Sequence, residues 1–520
     1  MRKQIIRKII DLGDRLVHVR FCGSGPPALI LHQSPRTSEE MEPLIKDWSQ
    51  HFTCIAPDHP GYGLSDPLSI EQPSIDDFAD AVAALLDHLG IAALPIYGHH
   101  TGAIIAMALG VKHPERTSAL VLNGVLVNTQ ADRDDLAQNY LPPFTPSHDA
   151  SHLMTLWWRM REQSLFFPWY NRKAEARMIY GVRPAAEIQP SCMDFLSAGD
   201  NYRRGYGAAL MTVTQDYVDQ LTVPTMVTAV RPDPLWVDVG KLKAKPPVET
   251  KRFDTMAPLL TASLAHLQSG MSSEDFDVAA VAQSGSRQIQ AKATAHVYGD
   301  TDHAKALAVP DLGMEALKEE AVFKAARRPI LAVNPAGHGL SEPDAAWPEA
   351  GTVNTLVSFG FGIAHLPGLM ERYPNARVIA ADLICPATGL EEYLESYVPN
   401  LSPQTSGAHL AEAFLAVRSA KVFWPWFETD HANAVPGEHL LNVEQLHIET
   451  RALLRGWQAG KALIDKVPQA IEALAAFGQS VTIALPDWTE SRSAIRKDFG
   501  DANIMYYDWA RRDTALAALL

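Results

Sequence analysis

The chain repeats itself, and this constrains its fold more than any other property, because a missed internal repeat misassigns a whole architecture. The segment DHPGYGLSDP, Asp58 to Pro67, recurs as NPAGHGLSEP, Asn334 to Pro343. Each copy follows a short apolar run of strand type, FTCIAP in one and PILAV in the other. Two further pairs share a single offset of 257 positions. NYLPPFTPSHDASHL, ending at Leu153, matches SYVPNLSPQTSGAHL, ending at Leu410, and FFPWY, Phe166 to Tyr170, matches FWPWF, Phe423 to Phe427. Coincidence of Tyr140 with Tyr397, His152 with His409, and Pro168-Trp169 with Pro425-Trp426 at one offset predicts two copies of one domain. A chain of 520 residues that is 47% hydrophobic is long enough to bury two cores.

The copies are expected at residues 1–257 and 291–520, joined by a linker with a helix over 258–290. Copy two is shorter between Pro343 and Ser358 than copy one between Pro67 and Gly98. The missing piece corresponds to SIDDFADAVAALLDHLG, an apolar helical pattern behind a Ser74-x-x-Asp77 cap signature, so this helix is expected in copy one alone.

The formal net charge of −15 is spread along the chain, which argues against a nucleic-acid partner. The start, MRKQIIRKII, is broken by Arg7, Lys8 and Asp11 and precedes no small-residue cleavage site. No apolar run approaches the roughly 20 residues of a membrane span. The four cysteines, Cys22, Cys54, Cys192 and Cys385, lack metal-ligand or redox spacing. The expectation is a cytoplasmic protein without membrane contact, with a small-molecule substrate and no cofactor, and with the internal pair fitting a monomer.

In copy one, RLVHVRFC, PALILH, FTCIAP and LPIYG read as strands and SEEMEPLIKDW as a helix, the alternation of a parallel sheet flanked by helices. The order LILHQSPRTSEEM, APDHPGYGLSDP, LPIYGHHTGAIIAMALGVKHPERTSALVLNG, VPTMVTAVRPDPLW resembles the α/β-hydrolase family over most of Arg15 to Trp236. Gly98-His99-His100-Thr101-Gly102 is similar to its nucleophile elbow, a small-x-nucleophile-x-small turn between strand and helix. The resemblance implies two tandem α/β domains, each a mostly parallel sheet with helices on its faces. It also implies helical caps at about 127–218 and 386–475, an oxyanion loop at His32 to Arg36, and an acid at Asp233.

Copy one departs from that family pattern in three places. The elbow residue is His100 instead of an oxygen or sulfur nucleophile, and an imidazole acts as a base or as an unusual nucleophile. The histidine that should follow Asp233 is missing from VETKRFDTMAPLL, and His266 comes late. The oxyanion loop reads His32-Gln33-Ser34-Pro35-Arg36, where Pro35 has no N–H.

The expected site therefore has His100 as base or nucleophile and Asp233 as orienting acid. The N–H groups of Thr101 and Gln33 are the expected oxyanion donors, Arg36 the anion anchor, and Trp157 and Trp158 the pocket wall. In copy two the elbow is Ser358-Phe359-Gly360-Phe361-Gly362, with no side chain at its centre. Its sheet-end loop is expected at Tyr298 to Asp302 and its acid at Asp487. His148 and His152, four apart, have no third ligand nearby, and no metal is expected. Three functional readings stay open: a hydrolase of a small carbonyl or ester compound, with carboxylates among the candidates; a lyase or proton-transfer enzyme without a covalent intermediate; and a non-catalytic binding protein.

Overall fold

The computed structural model describes residues 4–299, 306–326, 328–386, 388–436, 441–477, 480–489, 499 and 504–520. It divides into two compact units. The first comprises Met1–Thr145 and Thr155–Ser284, and the second Pro146–Met154 and Gly285–Leu520.

The first unit is built on eight strands: β1 Ile6–Asp11, β2 Leu16–Cys22, β3 Pro27–Leu31, β4 Thr53–Pro57, β5 Leu94–His99, β6 Thr117–Asn123, β7 Thr225–Val230 and β8 Val248–Phe253. Their order in the sheet is β1-β2-β4-β3-β5-β6-β7-β8. β2 runs antiparallel to β1 and β4, and every later pairing is parallel. β3 and β4 are buried along their whole length, as a parallel strand covered on both faces must be. The helix Ile75–His88 opens on a capping box in which Ser74 and Asp77 satisfy each other's backbone N–H, and it buries Phe78, Val82, Leu85 and Leu86.

The second unit repeats this plan with β9 Arg287–Gln290, β10 Ala293–Tyr298, β11 Ala306–Val309, β12 Ile330–Val333, β13 Thr355–Phe359, β14 Arg377–Ala381, β15 Val481–Pro486 and β16 Ile504–Tyr507. The order is β9-β10-β12-β11-β13-β14-β15-β16, strand for strand that of the first sheet. No helix lies between β12 and β13, where the first unit has Ile75–His88 between β4 and β5.

The equivalence extends to single hydrogen bonds. Ser65 Oγ donates to Asp58 O at 2.8 Å, and Ser341 Oγ to Asn334 O at 2.7 Å. Trp169 Nε1 donates to Tyr140 O at 3.1 Å, and Trp426 Nε1 to Tyr397 O at 3.0 Å. His152 Nδ1 accepts the Ser147 N–H and His409 Nδ1 the Gln404 N–H, both at 3.1 Å, so these two histidines tie a loop to the helix that follows.

Three expectations differ from what the structure shows. Residues 258–290 are no simple linker: the helix Met256–Gln268 buries Leu259, Ser263 and Leu267, and the first unit runs on to Ser284. The sheet-end loop of copy two is not at Tyr298 to Asp302. Tyr298 closes β10, the counterpart of β2, and Asp300, Thr301 and Asp302 lie outside the described residues. The counterpart of the His32 loop follows β11 and reads Pro310-Asp311-Leu312-Gly313, because Leu31 pairs with Gly98 as Val309 pairs with Ser358. By the same reasoning, pairing of Asn123 with Thr228 and of Ala381 with Ala484 makes Asp487 the counterpart of Arg231 and Thr489 that of Asp233. Among the described residues, no helix is long and apolar enough to cross a membrane.

Candidate functional site

The site grows from the end of β5. The chain turns at His100 with φ 48° and ψ −111°, a conformation costly for a residue with a Cβ, and enters the helix Thr101–Lys112 at once. The turn is tight because strand and helix touch: a Cβ on Gly102 would lie 2.4 Å from Leu31 O. Such a turn lifts the His100 side chain above the sheet edge, over the ends of β6 and β7. Gly124, just after β6, makes room for the ring, since a Cβ there would lie 2.3 Å from His100 Cδ2 and 2.7 Å from Nε2.

The loop after β7 brings Asp233 to this ring. His100 Nε2 and Asp233 Oδ2 are 2.6 Å apart, and the second carboxylate oxygen accepts the Leu235 N–H at 2.8 Å. Burial disfavours a charged imidazole, but the charge and hydrogen bond of Asp233 outweigh it and raise the His100 pKa. In turn, burial pushes the Asp233 carboxyl up, while His100 more than compensates and leaves it below its ordinary value. The carboxylate fixes the proton on Nε2. Nδ1, with no hydrogen-bond partner among the described residues, is then the lone pair available for chemistry. The adjacent His99 is half-buried with its Nδ1 enclosed, and desolvation and the neighbouring His100 lower its pKa to about 3, so it stays neutral and is a poor base.

The loop His32–Arg36 lies beside the elbow and is locked from within. His32 donates from Nδ1 to Gln33 O at 2.7 Å and accepts the His59 N–H at Nε2, 2.9 Å away. The carboxylate of Asp58 accepts the N–H and hydroxyl of Ser38 at 2.8 and 2.5 Å. Two expected roles in this loop need correction. The Gln33 N–H is taken by Glu40 Oε1 at 2.8 Å, and the Gln33 side-chain amide donates to Glu40 Oε2 at 2.9 Å. Arg36 is tied to Asp194, Nε to Oδ2 at 2.7 Å, with Glu40 a further 3.8 Å contact. Gln33 is therefore not free as an oxyanion donor, while Arg36 lines the cavity with its charge already shared with Asp194 and Glu40. Glu40 is nearly enclosed, and burial carries its pKa up to about 7 against the pull of Arg36 and Gln33.

The second unit shows which N–H groups converge in this turn. Asp311 Oδ1 accepts the N–H of Phe361 at 2.9 Å and that of Leu312 at 2.8 Å. Their counterparts are Thr101, directly after the elbow, and Ser34. The Ser34 N–H makes only a long 3.3 Å contact with Thr101 Oγ1, and the Thr101 N–H, first in its helix, has no intrahelical acceptor. In the second unit Gly360 keeps the elbow's left-handed φ of 51°, and the counterpart of Gly124 is Asp382. A histidine opposite glycine in one unit thus becomes a glycine opposite aspartate in the other.

His100, Asp233, Thr101 and Ser34 open into a cavity of about 650 Å³, the size of a small-molecule site. Its far wall comes from the segment over β6 and β7: Tyr140, Met160, Phe166, Phe167, Arg183 and Leu210. Trp157 and Trp158, expected here, do not line it. Trp157 is fully buried, and Trp158 is 50% exposed beneath Arg161. The helix Ser151–Glu162 instead reaches the cavity through Met160 and the two residues just past its end, Gln163 and Ser164. His266 is outside the site as well, its Nε2 lying 3.3 Å from Pro224 O.

Glu40, Ser34, Asp194 and Arg183 were not identified from the sequence. Glu40 stands among Glu39 and Glu42, and nothing in their order tells which one folds back onto the loop. Ser34 follows Gln33 directly, and only the Asp311 contacts separate their roles.

Residues 26–167 match the family model described as alpha/beta hydrolase fold. Among curated proteins, the chain is 35% identical over 106 residues to haloalkane dehalogenase 2 of Mycobacterium tuberculosis, covering 20% of this chain and 37% of that protein. It is 34% identical over 116 residues to 2-(acetamidomethylene)succinate hydrolase of Mesorhizobium japonicum, covering 22% of this chain and 41% of that one. It is also 29% identical over 136 residues to (E)-2-((N-methylformamido)methylene)succinate hydrolase of Acinetobacter baylyi, covering 26% and 51%. The chain thus spans about half or less of the length of the curated relatives it matches. Among solved structures, epoxide hydrolase A from Mycobacterium thermoresistibile superposes with a TM-score of 0.42 at 16% identity, covering 52% of this chain and all of that one.

Proposed function

We propose that this chain, a member of the α/β-hydrolase superfamily, is a hydrolase of small ester or carbonyl compounds in which His100 works as a general base on water and no acyl-enzyme forms. The observation that carries this reading is the 2.6 Å pair of His100 Nε2 with Asp233 Oδ2, which leaves Nδ1 as the free basic atom on the wall of the cavity. A histidine held by a carboxylate is the base half of a triad, and here it occupies the nucleophile's own position. Attack by His100 itself would give an acyl-imidazole and leave no base among the described residues for the water that must hydrolyse it, since His99 is held neutral with a pKa lowered to about 3 and His266 is remote.

The substrate carbonyl oxygen would accept the N–H groups of Thr101 and Ser34. His100 Nδ1 takes a proton from water as its oxygen bonds to the carbonyl carbon, giving a tetrahedral oxyanion. Collapse breaks the bond to the leaving group, which takes the proton back from the imidazolium. One water is consumed, and an acid and an alcohol leave. The cavity's apolar side chains suit a compact organic body, and Arg183, whose Nε is 3.5 Å from Ser164 Oγ, supplies positive charge for a carboxylate on the substrate. Two of the curated relatives are named as hydrolases of substituted succinates, in keeping with a carboxylate-bearing substrate.

A second reading rests on His100 replacing an oxygen or sulfur nucleophile. The same base and donors would remove a proton next to a carbonyl and stabilise the enolate, which is lyase chemistry without a covalent step. The test is a panel of short esters and β-hydroxy carbonyl compounds, assayed with wild type and His100→Ala. Ester turnover in ¹⁸O water, with one label in the acid and no acyl-enzyme burst, is expected. Equal turnover by both proteins would remove His100 from the mechanism, and cleavage of only the β-hydroxy compounds would favour the lyase.

A further inference from the structure

We propose that Trp236 is a positioning residue for the reaction, closing the loop 231–236 so that Asp233 stays on His100. The inference rests on the reading of Asp233 as the group that orients the His100 base. Asp233 stands in the middle of six residues that follow β7, of which Arg231 and Pro232 are exposed. Pro232 and Pro234 flank it, and neither has an N–H with which to tie the loop down. The backbone bonds within the loop are local ones: the Asp233 N–H donates to Val230 O at 2.9 Å and the Trp236 N–H to Asp233 O at 3.0 Å.

One carbonyl closes this loop from outside. Phe253 O, at the end of β8, accepts the Arg231 N–H at 3.0 Å and the Trp236 indole N–H at 3.1 Å, so the first and last residues of the loop meet on one atom. The indole ring is held as well. The guanidinium carbons of Arg231 and Arg252 each lie 4.1 Å from its centroid, within the range of a cation–π contact. Arg252 belongs to β8, and Gly240 leaves the room that its guanidinium takes, since a Cβ there would lie 3.0 Å from Nη1. The half-buried Trp236 also packs against the core of the first unit.

The anchor matters because the contact it serves is a single short one. Asp233 Oδ2 meets His100 Nε2 at 2.6 Å, while its other oxygen is spent on the N–H of Leu235, the residue before Trp236. A shift of the loop by about 1 Å breaks the dyad, a misplacement that costs about 10²-fold in rate. His100 is faced by Asp233 from this loop, by Glu40 from the segment after β3, and by His99 from β5. Asp233 and Glu40 raise its pKa against the burial that lowers it. With Asp233 withdrawn, Glu40 alone opposes burial and the pKa falls.

The test follows the His100 imidazole by NMR titration of the full chain with labelled histidine, its signal assigned by loss in His100→Ala, alongside ester turnover. Trp236→Ala should move the titration from above 6.5 to 6.5 or below and lower kcat about tenfold or more, with KM changed less than about twofold. Trp236→Phe keeps a ring for both guanidiniums and loses only the indole N–H, and Arg252→Met changes an exposed side chain of the edge strand. Both should melt as folded proteins and shift the titration the same way by a smaller amount. In an Asp233→Asn background, Trp236→Ala should change neither reading further. The titration needs no substrate, so its fall in Trp236→Ala upholds the anchor even where no ester is turned over, a result that would sink the hydrolase reading alone. A His100 titration unmoved in all three variants, or an undiminished further loss of turnover in the Asp233→Asn background, overturns the inference.

Discussion

His100 Nε2 and Asp233 Oδ2 lie 2.6 Å apart, although one residue sits in a strained turn after the fifth strand and the other in the loop after the seventh. In the proposed mechanism that contact gives the turn a base in place of a nucleophile. His100→Ala should lower ester turnover by about 10² to 10⁴, the range of a general base, without changing the fold. His100→Ser should not restore it, because among the described residues His99 has its pKa lowered to about 3 and His266 lies outside the site, so neither activates the new hydroxyl. Steady-state kinetics on both variants check this, and recovery in the serine variant would mean that a second base reaches the site.

The pair also sets a pH dependence. His100 must be neutral to accept a proton, and its pKa is raised above the ordinary 6.5 because Asp233 outweighs burial. Turnover should therefore rise with pH through an inflection above 6.5. Asp233→Asn removes the charge that raises the pKa, so it should move the inflection to lower pH while lowering the plateau. A pH–rate profile of the two proteins gives both readings. An inflection that stays in place would separate Asp233 from the titrating group.

Much of this site was legible in the sequence because local geometry carries it. Gly98 and Gly102 flank a turn that only small residues permit, and Asp233 follows a strand whose apolar pattern is plain. The contacts that were not legible depend on how a segment folds back, turns or pairs in three dimensions. Glu40 reaches back to Gln33 from one of several equivalent acids. Trp157 and Trp158 read as wall residues by type, but helical rotation buries one and exposes the other. The place of the second copy's loop was misread because the apolar run before Gly299 is the equivalent of β2, while the short strand Ala306–Val309 lies beyond it. Strand pairing resolved that ambiguity, and composition could not.

Gly124 is expected to control the dyad through space alone. A Cβ at this position would lie 2.3 Å from His100 Cδ2, and the residue has φ +77°. Gly124→Ala should displace the imidazole from Asp233 and cost about 10²-fold or more in turnover, with a stability loss of about 1–2 kcal/mol from the backbone conformation. Kinetics combined with thermal melting separates the two effects. Unchanged turnover would show that the ring has another working position.

Glu40 links the oxyanion loop to stability. Its pKa rises from the ordinary 4.5 to about 7 in the fold, mainly through burial. A raised carboxyl pKa means that the fold holds the proton more tightly than the unfolded chain does. The associated stability is complete below pH 4.5 and is lost as pH rises through 7, a difference on the order of 3 kcal/mol. Glu40→Gln cannot ionise and can keep the Gln33 N–H as donor to its amide oxygen. Its melting temperature relative to wild type should therefore climb between pH 5 and pH 8. A constant difference would place the Glu40 charge in solvent.

Asp311 fills in the second unit the donor pair whose counterparts, Thr101 and Ser34, are proposed to hold the substrate carbonyl in the first. Asp311→Ala removes the acceptor of the Phe361 and Leu312 N–H groups, and each buried donor left unpaired costs about 1–3 kcal/mol. Urea unfolding should register that loss in the second unit. Ester turnover should not change, because His100, Asp233, Thr101 and Ser34 all belong to the first. For the same reason Asp311→Ala in a His100→Ala background should create no activity: an emptied donor pair next to Gly360 still has neither base nor nucleophile. A fall in turnover on mutating Asp311 alone, in protein that remains folded, would mean that the second unit takes part in the reaction.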